Sequence, residues 1–128
     1  MTNIEIVRKM NDGFVEGDRE KIMQHVADDV RWHVIGASTL LNKKIFKKEI
    51  NNTHLIGLPT LKIKNEIEQG DWVAVEGEVQ YKKIDGGIVD ALFFDVYHLE
   101  NGKITELRTY VIERNKPVYL AINNYLTI

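Results

Sequence analysis

Residues 88–112, IVDALFFDVYHLENGKITELRTYVI, read as two long strands joined by a tight turn. The turn is centred on Asn101-Gly102, and Asn-Gly between β-rich segments is the strongest short-range hairpin signal because both residues tolerate a positive φ. The segment therefore predicts a β-hairpin, with one carboxylate, Asp95, amid the apolar residues of its first strand.

The first strand of this hairpin is apolar on both faces. Successive strand residues point to opposite faces of a sheet, so odd and even positions form two separate sets. A strand that is apolar on both sides is covered on both sides. The domain's own helices would cover one face of the strand, and a second copy of the chain is the simplest cover for the other face. We therefore predict a homodimer through the outer face, built on Leu92, Phe94, Val96 and Tyr110.

The other strands follow the same alternation. Residues 73–82 place apolar side chains on one face and mostly charged or amide side chains on the other, which is typical of a sheet with one dry side. We expect the concave face to hold Val30, Trp32, Val34, Leu61, Ile63, Asn65, Ile67, Val73, Val75, Gly77, Val79, Tyr81, Ala91, Phe93, Asp95, Tyr97, Leu107, Thr109 and Val111.

Helices dominate the first 50 residues. Thr2-Asn3-Ile4-Glu5 fits a capping box for a first helix, which Gly17 ends, and Asp18 can cap a second helix that Asp28-Asp29 closes. Residues 30–34 alternate as a short strand, and 36–41 read as a loop. Asn42 caps a third helix that Asn51-Asn52 ends, with its buried side formed by Ile45, Phe46 and Ile50.

Composition narrows the class of protein. The chain has 128 residues, no cysteine, and 17 basic against 19 acidic residues, which are interspersed. This indicates one domain without disulfides or thiolate zinc sites, and no electrostatic footprint for nucleic acid. No apolar segment approaches the length of a membrane span, and the N-terminus does not resemble a signal peptide. We expect a cytoplasmic protein with no membrane partner.

Three segments carry a family resemblance. They are Phe14-Val15-Glu16-Gly17-Asp18, residues 26–32 (VADDVRW), and residues 96–110 (VYHLENGKITELRTY). With the order of elements, they make residues 3–112 resemble the SnoaL-like, polyketide-cyclase branch of the NTF2-like superfamily. The resemblance implies an α+β cone in which three N-terminal helices pack in a curved, mostly antiparallel sheet around an apolar pocket. The whole chain, 1–128, would be one domain that dimerises through the outer face of its sheet, with 115–128 as a C-terminal arm that is a short helix or an extended segment.

The family's catalytic positions match only in part. In the related ketosteroid isomerases, the proton-shuttling carboxylate corresponds to Val34 here, and the oxyanion-hole tyrosine falls near Met10. Their protonated aspartate falls on Asp95 if the hairpin turn is one residue shorter. Positions used by limonene-epoxide-hydrolase-like enzymes read Trp32, Val34, Gly77, Val79 and Thr109, so the resemblance does not extend to that chemistry.

Asp95 is the strongest candidate for chemistry. An aspartate between Phe93 and Tyr97 loses hydration, which raises its pKa and suits a general acid/base or a neutral donor to an oxyanion. Alternatively, Asp95 orders the pocket by bonding a tyrosine or backbone amide, or faces solvent if the parity is opposite. Tyr97 or Tyr81 would assist by donating to a carbonyl oxygen. Trp32, Tyr81 and Tyr97 could stack on a flat ligand or, alternatively, pack the core. The residues expected to contact a ligand are Met10, Phe14, Trp32, Val34, Phe46, Val79, Tyr81, Phe93 and Thr109.

Two functions remain open at this point. One is a cofactor-independent enzyme that transfers a proton in a small hydrophobic carbonyl compound by isomerisation, cyclisation or dehydration. The other is a non-catalytic dimeric module that binds a small hydrophobic ligand. The four histidines show no ligand spacing and the one serine, Ser38, has no paired base, so we expect no metal or other cofactor.

Overall fold

The computed structural model describes residues 1–51 and 55–114. Its elements are α1 (Asn3–Glu16), α2 (Arg19–Met23), β1 (Val26–Val34), β2 (Ser38–Leu41), α3 (Lys43–Asn51), β3 (Leu55–Gln69), β4 (Trp72–Lys83), β5 (Ile88–Glu100) and β6 (Lys103–Glu113). The predicted α+β class with N-terminal helices is confirmed. The predicted arm, 115–128, lies outside the described residues, as does Asn52 at the expected end of the third helix.

One curved, mostly antiparallel sheet organises the fold. The strand order is β2-β1-β6-β5-β4-β3, and the pairing of β1 with β6 is parallel. This parallel pair brings the helical N-terminal half against the last strand of the described chain. The helices α1 and α3 contact the sheet through β3, β4 and β1. They cover the face that holds the core.

The predicted helix caps are confirmed. The Thr2 hydroxyl accepts from the amide of Glu5 at 3.3 Å, and Asp18 accepts from the amide of Lys21 at 3.0 Å. Gly17 ends α1 with a φ of 70°, and Asn42 caps α3 through the amide of Ile45 at 3.0 Å. These side chains replace hydrogen bonds that the first turn of a helix leaves unmade.

The alternation predicted for the central strands is also confirmed. Val73 and Val75 of β4 are completely buried, and the odd positions of β5 from 89 to 99 are buried except Asp95, which is intermediate. The core that these strands share with the helices is formed by Ile6, Val7, Met10, Ile22, Met23, Val26, Val30, Phe46, Val73, Val75, Phe93, Tyr97, Leu99, Ile104 and Leu107.

Two N-terminal boundaries were wrong. Asp28 and Asp29 lie inside β1, because the strand begins at Val26 and α2 ends at Met23. The segment read as a loop contains β2, in which Ser38 pairs with Val34 and Leu41 pairs with Arg31. Four residues are too few for a periodic signal, so only the partner strand identifies β2.

A β-bulge in β3 overturns two concave-face assignments. Ile63 pairs with Gly77 but Asn65 pairs with Glu76, so the extra residue between them reverses the parity of the strand. Asn65 and Ile67 therefore lie on the outer face, where Ile67 is 62% exposed. Glu66 takes the inward parity and forms an ion pair with Arg8 of α1 at 3.0 Å.

The prediction that Ile45 lies on the buried side of α3 was also wrong. Ile45 is 41% exposed, whereas Phe46 is completely buried, because α3 turns a narrower stripe toward β1 than its apolar residues suggest. Among the described residues, no helix is long and apolar enough to cross a membrane.

Candidate functional site

A cavity of about 1120 Å³ lies between the helices and the concave face of the sheet. All three helices and strands β1 and β3 to β6 contribute to its wall. Its volume is on the scale of a small-molecule site. The side chains around it include both the predicted carboxylate and most of the predicted aromatic residues.

Asp95 projects into this cavity from β5, where it pairs with Val75 of β4 and Thr109 of β6. Its Oδ1 is buried and has no hydrogen-bond partner within the described residues. Burial raises the pKa of Asp95 to about 7, and hydrogen bonding from Thr109 and Tyr97 offsets part of that rise. The carboxyl group can therefore exchange a proton near neutral pH.

The Tyr97 hydroxyl lies between Asp95 and a helix residue. It donates to Oδ1 of Asn11 at 3.4 Å and to Oδ2 of Asp95 at 3.5 Å. Burial and the neighbouring carboxylate raise the pKa of Tyr97 well above its usual value, so the phenol stays protonated. A phenol has a single proton, which these two acceptors share.

Thr109 is held on the other side of Asp95 by an indole. Trp32 Nε1 donates to Thr109 Oγ1 at 2.9 Å, which leaves the threonine's own proton to point toward Asp95. The Trp32 ring packs on Phe46 with centroids 4.7 Å apart, and this contact fixes its orientation. Trp32 of β1 and Thr109 of β6 thus form a chain of donors that ends at the carboxyl group of Asp95 on β5.

The rest of the predicted ligand-contact set divides into two groups. Phe14, Val79, Tyr81 and Phe93 line the cavity together with Trp32, Tyr97 and Thr109. Met10, Val34 and Phe46 do not line it. Met10 and Phe46 are 1% and 0% exposed and pack in the core, and Val34 ends β1 opposite Thr109 and Ser38.

Comparison with known proteins gives a family. The SnoaL-like domain matches residues 7–107 of the chain. The chain belongs to the SnoaL-like family. The comparison of this SnoaL-like domain with curated proteins found no match.

Solved structures support the fold of this SnoaL-like domain. It is similar to an NTF2-like protein of unknown function from Burkholderia pseudomallei K96243, with a TM-score of 0.76, 22% identity, and coverage of 86% of this chain and 91% of that one. It is also similar to an LEH-like epoxide hydrolase of M. tuberculosis, with a TM-score of 0.77, 18% identity, and coverage of 86% of this chain and 82% of that one. A third similar structure is TerC, co-crystallised with polyporic acid, with a TM-score of 0.74, 26% identity, and coverage of 84% of this chain and 89% of that one.

Several residues in the cavity wall of this SnoaL-like domain were not among the predicted ligand contacts. Asn11 is 7% exposed and lines the cavity from α1, where its spacing from Val7 and Phe14 is that of one helix face. Four exposed charged side chains also contribute to the wall, and no sequence pattern separated them from ordinary surface residues. They are Arg19, Glu49, Lys83 and Asp85.

The chemistry available to the site of this SnoaL-like domain is proton transfer. Within residues 1–51 and 55–114, no three His, Asp or Glu side chains come together in a way that could hold a metal ion. The interior polar groups are instead one carboxyl with a near-neutral pKa, hydroxyls, an amide and an indole N–H. Such groups can move and stabilise protons at a polarised carbon–oxygen bond.

Proposed function

We propose that this SnoaL-like protein is a cofactor-independent enzyme that transfers a proton at carbon in a small apolar carbonyl compound. Isomerisation, cyclisation and dehydration all begin with this step. One observation carries the proposal: Asp95 lines a cavity of about 1120 Å³ and combines a pKa of about 7 with a buried Oδ1 that has no partner in the described residues. A general acid/base works best when its pKa lies near the operating pH.

Asp95 acts first as a base in this proposal. Its carboxylate removes a proton from the carbon next to the carbonyl group, so the C–H bond breaks and the O–H bond forms on Asp95. The electron pair moves into the new carbon–carbon double bond and the negative charge goes to the carbonyl oxygen. Asp95 then returns the proton to carbon, or gives it to a departing hydroxyl group. No external reagent is required.

Tyr97 serves this reaction by positioning Asp95. Its hydroxyl donates to Oδ2 at 3.5 Å, whereas Oδ1 has no hydrogen-bond partner within the described residues and is the oxygen that we assign to the substrate. Direct donation from Tyr97 to the substrate would require its single proton to leave Asn11 and Asp95. We therefore assign Tyr97 a positioning role rather than the donor role expected from the sequence.

The apolar wall selects the rest of the molecule. Phe14, Trp32, Val79, Tyr81 and Phe93 surround the cavity, and aromatic rings of this kind favour a flat or cyclic hydrocarbon frame. Epoxide hydrolysis, the activity of one structural neighbour, has less support here. Gly77 and Val79 occupy the positions that correspond to the Arg-x-Asp of limonene-epoxide-hydrolase-like enzymes.

The proposed assembly is a homodimer in the cytoplasm. Leu92, Phe94 and Tyr110 remain 40%, 39% and 37% exposed on the outer face of the sheet, and Val96 lies among them. A contiguous apolar surface of this kind is typical of association. The cytoplasmic location expected from the sequence stays a prediction.

The test uses 2-tetralone, an apolar bicyclic ketone with acidic hydrogens beside its carbonyl group. Proton NMR in D₂O follows the exchange of these hydrogens for deuterium. We expect the wild-type protein to accelerate exchange above the buffer rate and Asp95→Asn to abolish the acceleration, since the amide cannot accept the proton. Asp28→Asn, at an exposed carboxyl on β1, is the matched control and should behave like wild type.

The same experiment separates the two functions. If wild-type protein binds 2-tetralone, as shown by shifts in its aromatic resonances, but exchange stays at the buffer rate, the non-catalytic binding module is favoured. If Asp95→Asn and wild type accelerate exchange equally, Asp95 is not the base.

A further inference from the structure

Three of the side-chain hydrogen-bond donors that line the cavity are already used inside the protein. Trp32 Nε1 donates to Thr109 at 2.9 Å. The Thr109 hydroxyl bonds Asp95, and the single proton of Tyr97 lies between two acceptors. None of these groups can donate to a ligand without losing a bond inside the protein.

Asn11 differs from these groups. Its Oδ1 accepts from Tyr97 at 3.4 Å, but its Nδ2 is buried with no hydrogen-bond partner in the described part of the chain. The residue is 7% exposed and lines the cavity. A buried amide nitrogen without an acceptor costs free energy, so a folded protein retains one where a ligand or an ordered water supplies the acceptor.

The unpartnered atoms of Asn11 and Asp95 flank the same phenol. Tyr97 bonds the oxygen of Asn11 and one oxygen of Asp95, and the amide nitrogen of the first and Oδ1 of the second are left without a partner in the described residues. Two residues that line the cavity and contact Tyr97 therefore each hold an unpartnered polar atom, a donor in Asn11 and a proton acceptor in Asp95. A ligand that satisfies both has a hydrogen-bond acceptor a few bonds from an acidic hydrogen.

We propose that Asn11 binds the carbonyl oxygen of the substrate through Nδ2, and that the substrate is an enolisable ketone whose acidic carbon faces Asp95. This inference rests on the proposed function and names the group that stabilises its intermediate. When Asp95 removes the proton from carbon, the negative charge that forms on oxygen lies at the Asn11 amide. A donor fixed before the reaction stabilises that charge more than the neutral ketone.

The experiment compares two probes that differ by one oxygen. 2-Naphthol resembles the enol of 2-tetralone, since its oxygen can accept from Asn11 while the neighbouring ring carbon lies at Asp95. Naphthalene has the same rings without the oxygen. Affinities of both probes are measured by fluorescence for wild type, for Asn11→Leu, which keeps the size but removes the amide, and for Phe14→Leu. Phe14 lines the cavity one helical turn further along α1.

The two variants should give different patterns. We expect Asn11→Leu to weaken 2-naphthol by about tenfold or more while naphthalene changes by less than about threefold, since one hydrogen bond is lost and the apolar surface is kept. Phe14→Leu should weaken both probes alike, because it removes aromatic contact only. If Asn11→Leu weakens both probes equally or leaves both unchanged, Asn11 does not bind the oxygen.

A second measurement covers the case in which Asn11→Leu does not fold. In ¹⁵N-labelled wild-type protein, the side-chain amide resonances of Asn11 should shift with 2-naphthol and stay in place with naphthalene. Equal shifts with both probes overturn the inference. Failure of the proposed function is distinguishable, because it appears as absent deuterium exchange while the preference for 2-naphthol over naphthalene still depends on Asn11.

Discussion

At the scale of single residues, the burial of the Asp95 carboxyl group costs the folded protein free energy that an aspartate on the surface would not. Its carboxyl is buried against β4 and β6, and Oδ1 has no partner to compensate for the water it lost. A site can maintain this arrangement because the rest of the core provides the stability. The carboxyl group that is costly to bury is thus the one that titrates near neutral pH.

Asp95 should make the protein less stable as the pH rises. Its pKa is raised from the ordinary value near 3.9 to about 7, so the native state binds more protons than the unfolded state between those values. Stability should therefore fall from about pH 4 to pH 7 and stay level above, with a total loss of at most about 4 kcal/mol. Urea unfolding of wild type and Asp95→Asn across this range measures it.

The asparagine variant should show a flatter profile over the same window and should exceed wild type in stability at pH 8. Asp28→Asn should keep the wild-type slope, since Asp28 is exposed on β1. Parallel profiles for wild type and Asp95→Asn would show that the folded pKa of Asp95 is not raised.

The pH dependence of exchange should mirror this titration. Because the carboxylate form is the base, the rate of 2-tetralone exchange should fall about tenfold for each pH unit below 7 and be constant above it. NMR exchange rates between pH 5 and 9, corrected for the buffer reaction, provide the measurement. A rate that rises as the pH falls would identify the neutral acid as the active form.

The alternation of side chains along β5 was enough to predict that Asp95 faces the concave side of the sheet, because the parity of a strand position fixes the face to which its side chain points. Asn11 was on the inward face of the first helix but looked like an ordinary polar residue among apolar neighbours. Its proposed role depends on an unpartnered Nδ2, while its Oδ1 accepts from Tyr97, a contact between positions 86 residues apart in sequence.

At the scale of elements, the β3–β4 pair shows why the rest of the sheet was harder to predict. The predicted alternation of side chains in β4 and β5 is confirmed, because these two strands pair with each other without a register shift. β3 contains register shifts, and a bulge is a property of two strands together, so Asn65 and Ile67 moved to the outer face without any local signal. β2 was missed for a similar reason.

Gly77 should be intolerant of any side chain at this irregular pairing. A Cβ at position 77 would overlap the backbone carbonyl of Lys62 and lie 2.8 Å from the Phe93 ring. We expect Gly77→Ala to destabilise the fold by about 3 kcal/mol, since backbone cannot move aside as a flexible side chain can. Thermal or urea unfolding measures the change.

Gly86→Ala is the matched control. Gly86 has a φ of 92° and open space around its Cβ position, so alanine there should cost only about 1–2 kcal/mol of backbone strain. If Gly77→Ala is as stable as wild type, β3 and β4 do not approach as closely at this point as described.

At the scale of the whole molecule, the apolar outer face predicts association. Phe94 and Tyr110 pack on each other with ring centroids 6.3 Å apart and remain exposed in a single copy. We expect Phe94→Asp to convert a dimer into a monomer at micromolar concentration, measured by sedimentation, because a charge would be buried at the interface. Ile45→Asp, at an equally exposed apolar residue on α3, should leave the dimer intact.

The parallel contact between β1 and β6 also affects how the chain folds. Trp32 pairs with the nearby Leu40 of β2, but its parallel neighbour, Leu107 of β6, is synthesised only after every other described strand of the sheet. During synthesis, the helices and β1 emerge from the ribosome before β6 is available to cover their apolar surfaces. Contacts of such long range also form slowly. A nascent chain stalled before β6 emerges is therefore the species most in need of a chaperone.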